Sequence, residues 1–398
     1  MARDATTEAG PSHPPPPAAP APPGMTVKLL DLTAQYRPLR EEIRAAIDAV
    51  CDAQALILGP HVERFEQHLA AYCGVKHAIG VSSGTDALLC ALMALGVGPG
   101  DEVVCPSFTF FATAGCVARL GATPVFAEID PRTFNVDPAD VARKITKRTK
   151  AIMPVHLFGQ LADMTAINAV AAAHGVPVVE DAAQAIGASQ NGKKACAHGR
   201  VGCLSFYPTK NLGAFGDAGA VCTDDDELAA TCRKLRVHGS GHTYYHDLVG
   251  GMFRLAAIQA AVLDVKLKYL DGWHAARRRN AAIYDEVLAG SGVVTPPVEP
   301  GNISIYNQYA VRVPDAGRTG TRDAVKAKLA ARGVGAAVYY PLGLHQQKCF
   351  AGLGYNEGDF PVTEQACREV LALPVYPELP EAEVRYAAAE LRRAAEFL

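Results

Sequence analysis

From residue 77 to residue 223, short apolar runs alternate with helical stretches. This alternation constrains the fold more than any other feature of the chain. Residues 77–81, 101–106, 123–129, 151–157, 176–180, 202–207 and 218–223 each read as a strand bounded by Gly, Pro or Asp. Helical patterns running through Leu95 and Leu120 separate the first of them. Strands joined by helical crossovers pair in parallel, and a parallel sheet must be covered on both faces. The expectation is an α/β fold with a mostly parallel central sheet flanked by helices. The stretch 262–284 reads as helix and leads into a smaller α+β unit, with strands at 308–313 and 336–340 and a last helix starting near Pro380. The predicted division is a large domain over 25–264 and a small C-terminal domain over 265–398.

Length and composition bound the function. With 398 residues and 49% hydrophobic content, the chain fills roughly two domains. A net charge of -3 provides no strong field for nucleic acid or a membrane surface. The cluster Arg277-Arg278-Arg279 is too short to alter this and reads as a solvated helix face. The 11 cysteines contain no Cys-x-x-Cys pair and sit mostly in apolar runs. They read as reduced core thiols of a cytoplasmic protein, with neither a disulfide framework nor a metal site expected. No apolar run reaches the roughly 20 residues of a membrane span. Residues 1–24 carry a proline run at 14–17 and are dominated by Ala and Pro. That composition reads as a disordered tail, with the functional sequence starting near Val27.

Chemistry concentrates at the ends of the strands. The run VVED ends in Asp181, and SFYPTKNLG (205–213) carries Lys210. An acid closing one strand and a lone lysine after another suit pyridoxal phosphate. The lysine amine can form a Schiff base with the cofactor aldehyde, and the carboxylate can keep the pyridine nitrogen protonated. Each residue has a plainer explanation, since a lysine after a strand is commonly solvated and an aspartate there commonly caps a helix. Ser83-Gly84-Thr85 opens a helix after a strand, which suits either a phosphate or an ordinary N-cap. Glu180 falls on the face opposite Asp181 and reads as structural, while Gln184 lies a helical turn beyond Asp181. Phe108 and Phe111 read as core. The loop GAFGDAG (213–219) lets the backbone pass close to a ligand. No Gly-x-Gly-x-x-Gly fingerprint follows an early strand, which weighs against a dinucleotide-binding dehydrogenase.

Taken in order, SGT at 83–85, PSFTF at 106–110, EDAAQ at 180–184, SFYPTK at 205–210 and GDAG at 216–219 resemble the DegT/StrS family of sugar aminotransferases. The resemblance extends to VYYP at 338–341 and His345, and it covers about Leu30 to Leu398. It implies a fold type I, pyridoxal 5'-phosphate-dependent homodimer with shared active sites. By position it implies Lys210 as the Schiff-base lysine and Asp181 as the partner of the ring nitrogen. Gln184 would sit beside the cofactor 3'-oxygen, Gly84, Thr85 and Ser205 at the phosphate, and Phe110 against the ring. His156 is implied as a ring or substrate contact, although it also reads as a satisfied buried histidine, and Tyr340 and His345 are read as contacts to the sugar or its diphosphate. The substrates implied are a nucleotide-linked keto-sugar and glutamate or glutamine as amino donor. Tyr207 and Asn211 favour a 3-keto over a 4-keto sugar. A cyclitol ketone and a non-catalytic cofactor-binding regulator remain alternatives. The chain departs from the family pattern at Met252, where an Asn reaching the neighbouring subunit's cofactor phosphate is common, and at Ala256, where an acid is common. Arg254 and Gln259 are kept.

Overall fold

The computed structural model describes residues 25–242, 244–315 and 320–396. Segment 1–24, expected to be a disordered tail, lies outside the described residues.

The central sheet follows the apolar runs. Its strands lie in the order Thr123–Ala127, Glu102–Pro106, Thr149–Ile152, Val179–Asp181, Val201–Ser205, Gly219–Thr223 and His77–Val81. Parallel bridges Ile152 to Val178 and Val155 to Asp181 join its two halves. Every strand runs parallel to its neighbours except Gly219–Thr223, which is antiparallel to the strands on both its sides. The expected α/β architecture is therefore the observed one.

Hydrophobic clusters lie on both faces of the sheet. One gathers Phe65, Leu69, Leu204, Phe206 and Leu263, and the other Ile79, Leu89, Val103, Phe126 and Val221. Burial of this kind stabilises by about 25 cal/mol per Å² of apolar surface removed from water. A third cluster holds Tyr284, Tyr309, Val311, Leu329, Leu371 and Leu391. It is built on the helices Leu270–Leu288, Thr321–Ala331 and Glu381–Ala395 and on the antiparallel pair Tyr309–Arg312 with Val370–Leu373. Val27 also packs in this third cluster and bridges Val334.

Three predicted elements come out differently. The strand expected over 151–157 runs only over Thr149–Ile152, because Pro154 has no N–H for the ladder. The helix expected over 262–284 divides into Ala257–Leu267 and Leu270–Leu288, with Tyr269 donating to the Lys266 carbonyl in a tighter turn. The strand expected over 336–340 is reduced to a bridge between Ala337 and Ala372, ahead of Pro341. Among the described residues, no helix is long and apolar enough to cross a membrane.

Candidate active site

A cavity of about 640 Å³ opens at the carboxyl edge of the sheet. Open α/β sheets bind ligands at this edge, because the loops leaving adjacent strands diverge there. Its walls include Gly84, Thr85, Phe110, Asp181, Gln184, Ser205, Lys210 and Tyr340. All come from the candidate set, brought together from strand ends far apart in sequence.

Asp181 ends its strand and is 4% exposed. Its Oδ2 accepts the Thr113 hydroxyl at 2.8 Å, and its Oδ1 accepts the Ala183 N–H at 3.2 Å. Burial raises its pKa; the Thr113 and Ala183 hydrogen bonds, then Lys210 and His156, oppose that rise. Lys210 is partly buried and lines the same cavity. Burial lowers its amine to about 8, against the upward pull of the Asp181 charge. An amine titrating there is about one tenth neutral at pH 7, far more than an ordinary lysine, and the neutral amine is the nucleophilic form.

At another part of the wall, the helix Gly84–Ala94 starts with Ser83 as its N-cap, and the Ser83 hydroxyl accepts the Asp86 N–H at 3.0 Å. Gly84 and Thr85 occupy the first turn, where backbone N–H groups have no intrahelical acceptor. A Cβ on Gly84 would lie 2.5 Å from Ser205 Cβ and 2.9 Å from its hydroxyl, so glycine is required for this approach. A Cβ on Gly219 would lie 2.4 Å from the Ser83 carbonyl, which lets the antiparallel strand seat the same turn. Free amides, the positive end of a helix and two hydroxyls are the donors that a phosphate group would require.

The loop after Lys210 is anchored on both sides. Asn211 donates to the Ile305 carbonyl at 3.1 Å and accepts from Asn307 at 2.8 Å. Gln259 brackets Phe215, accepting its N–H at 2.8 Å and donating to its carbonyl at 3.1 Å. Gln184 spans the cavity wall. Its carbonyl accepts the Phe158 N–H at 2.8 Å and its amide donates to the Tyr340 hydroxyl at 3.0 Å. Phe110 is 57% exposed, and its ring centroid is 6.4 Å from that of Tyr340.

Two candidates do not reach the cavity. His156 is fully buried; its Nε2 is 2.8 Å from Glu180 Oε2, and its Nδ1 is 3.2 Å from the Ala162 N–H. His345 is likewise buried, between the Ser107 hydroxyl at 2.6 Å and Glu364 at 3.1 Å. With both ring nitrogens occupied, neither imidazole is free to contact a substrate. The expectation of a substrate contact is corrected for both. The sequence reading also missed Thr109, Thr113 and Gln308. Thr113 sits in the first turn of the helix that follows Glu102–Pro106, two strands from that of Asp181, the one sequence signal available for it. Met252 is 65% exposed and is not among the residues lining this chain's cavity.

The sequence and fold have close counterparts. A pleiotropic regulatory protein of Geobacillus stearothermophilus is 51% identical over 365 residues, covering 91% of this chain and 96% of that one. A UDP-2-acetamido-2-deoxy-3-oxo-D-glucuronate aminotransferase of Pseudomonas aeruginosa is 45% identical over 365 residues, covering 92% and 99%. The crystal structure of DesV from S. venezuelae in complex with a ketimine intermediate superposes with a TM-score of 0.90 at 44% identity, covering 93% of this chain and 99% of that one. The model of the DegT/DnrJ/EryC1/StrS aminotransferase family matches residues 38–392, and the chain belongs to that family.

Proposed function

We propose that this chain is a pyridoxal 5'-phosphate-dependent aminotransferase that aminates a ketone on a nucleotide-linked sugar, with glutamate or glutamine as donor. The observation that carries this reading is the meeting of Lys210, Asp181 and the Gly84–Ser205 cradle on one cavity of about 640 Å³. The residues fit the cofactor: an amine for its aldehyde, a buried acid for its ring nitrogen, and free amides with hydroxyls for its phosphate. When bound, the cofactor acts as an electron sink for the donor α-carbon.

In this reading Lys210 anchors the cofactor. Once released, it takes the proton from the donor α-carbon and later returns one to the sugar carbon. Asp181 holds the proton on the ring nitrogen. Gly84, Thr85 and Ser205 take the phosphate, Gln184 lies beside the 3'-oxygen, and Phe110 covers the ring. Tyr340, held by Gln184, borders the substrate side. A 3-keto sugar is favoured by Tyr207 and Asn211 and by the 3-oxo substrate in the name of the Pseudomonas aeruginosa relative.

The proposal includes a homodimer with shared sites. Leu56, Ile57, Tyr245, Leu248, Val249 and Met252 are exposed, as residues that a second copy would cover are expected to be. A cytoplasmic location is supported by the free thiols. The division into 25–264 and 265–398 is kept as a proposal, with the helix break after Leu267 as its support.

Borohydride reduction and peptide mapping test the site, and an adduct on any lysine other than Lys210 contradicts it. A screen of keto-sugar nucleotides with 15N-labelled glutamate and glutamine tests the reaction. Labelled amino-sugar product is the expected result. Cofactor binding without turnover on any keto-sugar would instead favour a regulatory role, like that in the name of the Geobacillus stearothermophilus relative.

A further inference from the structure

We propose that Thr113 is a positioning residue that keeps Asp181 ionised and oriented for the ring nitrogen of the cofactor. This rests on the reading that Asp181 pairs with that nitrogen. Thr113 is fully buried, in the first turn of the helix Ala112–Arg119. A threonine hydroxyl near a helix start can serve its own backbone locally. Thr113 instead reaches Asp181 Oδ2 at 2.8 Å, 68 positions away in sequence.

The direction of the hydrogen bonds follows from counting protons. Thr113 has one hydroxyl proton and two hydroxyl-range partners, Asp181 at 2.8 Å and Thr109 at 3.2 Å. An ionised carboxylate can only accept. The Thr113 proton therefore goes to Asp181, and Thr109 donates to Thr113. Thr109 lines the cavity, so a relay runs from the cavity wall to the acid. Thr113 and Ala183 use one acceptor site on each Asp181 oxygen, leaving the remaining sites to a donor in the cavity.

Without the Thr113 hydroxyl, a buried carboxylate oxygen would lose a proton donor in a place where burial already favours the neutral acid. Asp181 would then relieve the loss by taking up a proton itself, and a neutral acid does not hold a pyridinium. The other titratable groups around Asp181 are Lys210, His156, Tyr340, Cys105, Cys116 and Cys203. Lys210 and His156 favour its charge, while burial keeps the thiols protonated.

The test is titration of apo-protein with pyridoxal phosphate, read by absorbance and fluorescence rather than by turnover. Thr113→Val is expected to weaken binding by about tenfold, the value of one hydrogen bond to a charged group. Thr113→Ser should restore it to within about twofold, since the hydroxyl returns. In an Asp181→Asn background, Thr113→Val should change binding by less than about twofold, because the charge it serves is gone. Unchanged binding in Thr113→Val, a failure of Ser to rescue, or a full loss persisting in the Asn background would each overturn the inference. Should the valine variant not fold, Thr113→Ala takes its place with the same expectations. If wild-type apo-protein takes up no cofactor, or borohydride fixes it away from Lys210, the functional reading fails and this inference with it.

Discussion

The two faces of the strand Val179–Asp181 carry neighbouring carboxylates with opposite fates. Glu180 is fully buried and meets four donors: His156 at 2.8 Å, and the N–H groups of Cys196 at 2.9 Å, His198 at 2.7 Å and Gly199 at 2.5 Å. Burial alone would raise its pKa, yet the His156 hydrogen bond and the other partners hold it below the ordinary value. Among the described residues, the carboxylate of Asp181, also buried, meets Thr113 and Ala183 alone, and its pKa stays above the ordinary value. The residues are adjacent and similar in chemistry, so burial does not separate them. What differs is acceptor capacity left unused, and that capacity faces the cavity. A saturated carboxylate stabilises the fold. An undersaturated one costs stability and is available to a ligand.

The largest effect should come from the cavity face. Lys210→Ala is expected to cut turnover by about 10²–10⁴-fold or more, since it removes both the anchor and the proton carrier. Its melting temperature should stay close to wild type, because a lysine with a lowered pKa contributes no stabilising charge pair of consequence. Steady-state rates alongside calorimetry check this. A variant that unfolds instead would give Lys210 the structural role assigned to Glu180.

Exchanging the two acids breaks the comparison most directly. Glu180→Ala leaves His156 and three backbone donors without their carboxylate and should cost about 3–5 kcal/mol of stability. Because the folded pKa of Glu180 lies below its ordinary 4.5, its contribution is complete above that value and fades as the pH falls through the lower, folded one. The stability difference between wild type and variant should therefore shrink in acid. Asp181→Asn should behave in reverse, keeping or raising the melting temperature of the apo-protein while losing on the order of 10²-fold in turnover. Its folded pKa is raised, so at neutral pH the charge is held at a cost to stability. Equal melting temperatures for the two variants would erase the distinction drawn between the faces.

The sequence makes one side of this contrast readable and hides the other. Asp181 is visible because it closes an apolar run and Lys210 because it follows another shortly after its end, and parallel strands deliver their ends to one edge. Gly84 and Ser205 are visible for the same reason. His156 and His345 are visible as residues, but their partners are not. Glu180 lies 24 positions from His156, and Ser107 lies 238 from His345, so no local pattern carries either contact. Thr113 is hidden in the same way. Alternation locates the strands, but the ends of 151–157 and 336–340 depend on prolines and on partners supplied by tertiary pairing. The strand Val370–Leu373 becomes readable only once Tyr309–Arg312 is there to pair with it.

A smaller effect sharpens the electrostatic side of the comparison. Lys210 is lowered to about 8 by burial, and its neutral form is the nucleophile. Cofactor attachment to apo-protein should therefore accelerate by roughly tenfold per pH unit on the acid side and level off above about 8. Stopped-flow absorbance across pH 6–9.5 measures this, at roughly half-unit steps. In Asp181→Asn the levelling should shift to lower pH, because the carboxylate charge supports the protonated amine. A profile independent of pH would mean that the amine is already neutral throughout this range.

Met252 asks whether the phosphate end of the cavity is undersaturated as well. Its side chain is 65% exposed, Leu248 and Val249 nearby in sequence are exposed too, and its backbone bridges Val237. In the proposed dimer this segment approaches the partner's phosphate cradle, where a thioether offers only packing. Met252→Asn would add one donor to a charged oxygen, a bond worth about 1.5–3 kcal/mol when well placed. Pyridoxal phosphate should then bind about tenfold more tightly, since 1.4 kcal/mol is one factor of ten. The gain should vanish at protein concentrations where the dimer dissociates, because the new donor serves the other subunit. Titration of apo-protein at two protein concentrations, one on each side of the dimer dissociation constant, separates the cases. Unchanged affinity in the dimer would mean that the amides of Gly84 and Thr85, with the hydroxyl of Ser205, already satisfy the phosphate. A gain that persists in the monomer would place residue 252 at its own subunit's cavity and remove the case for a shared site.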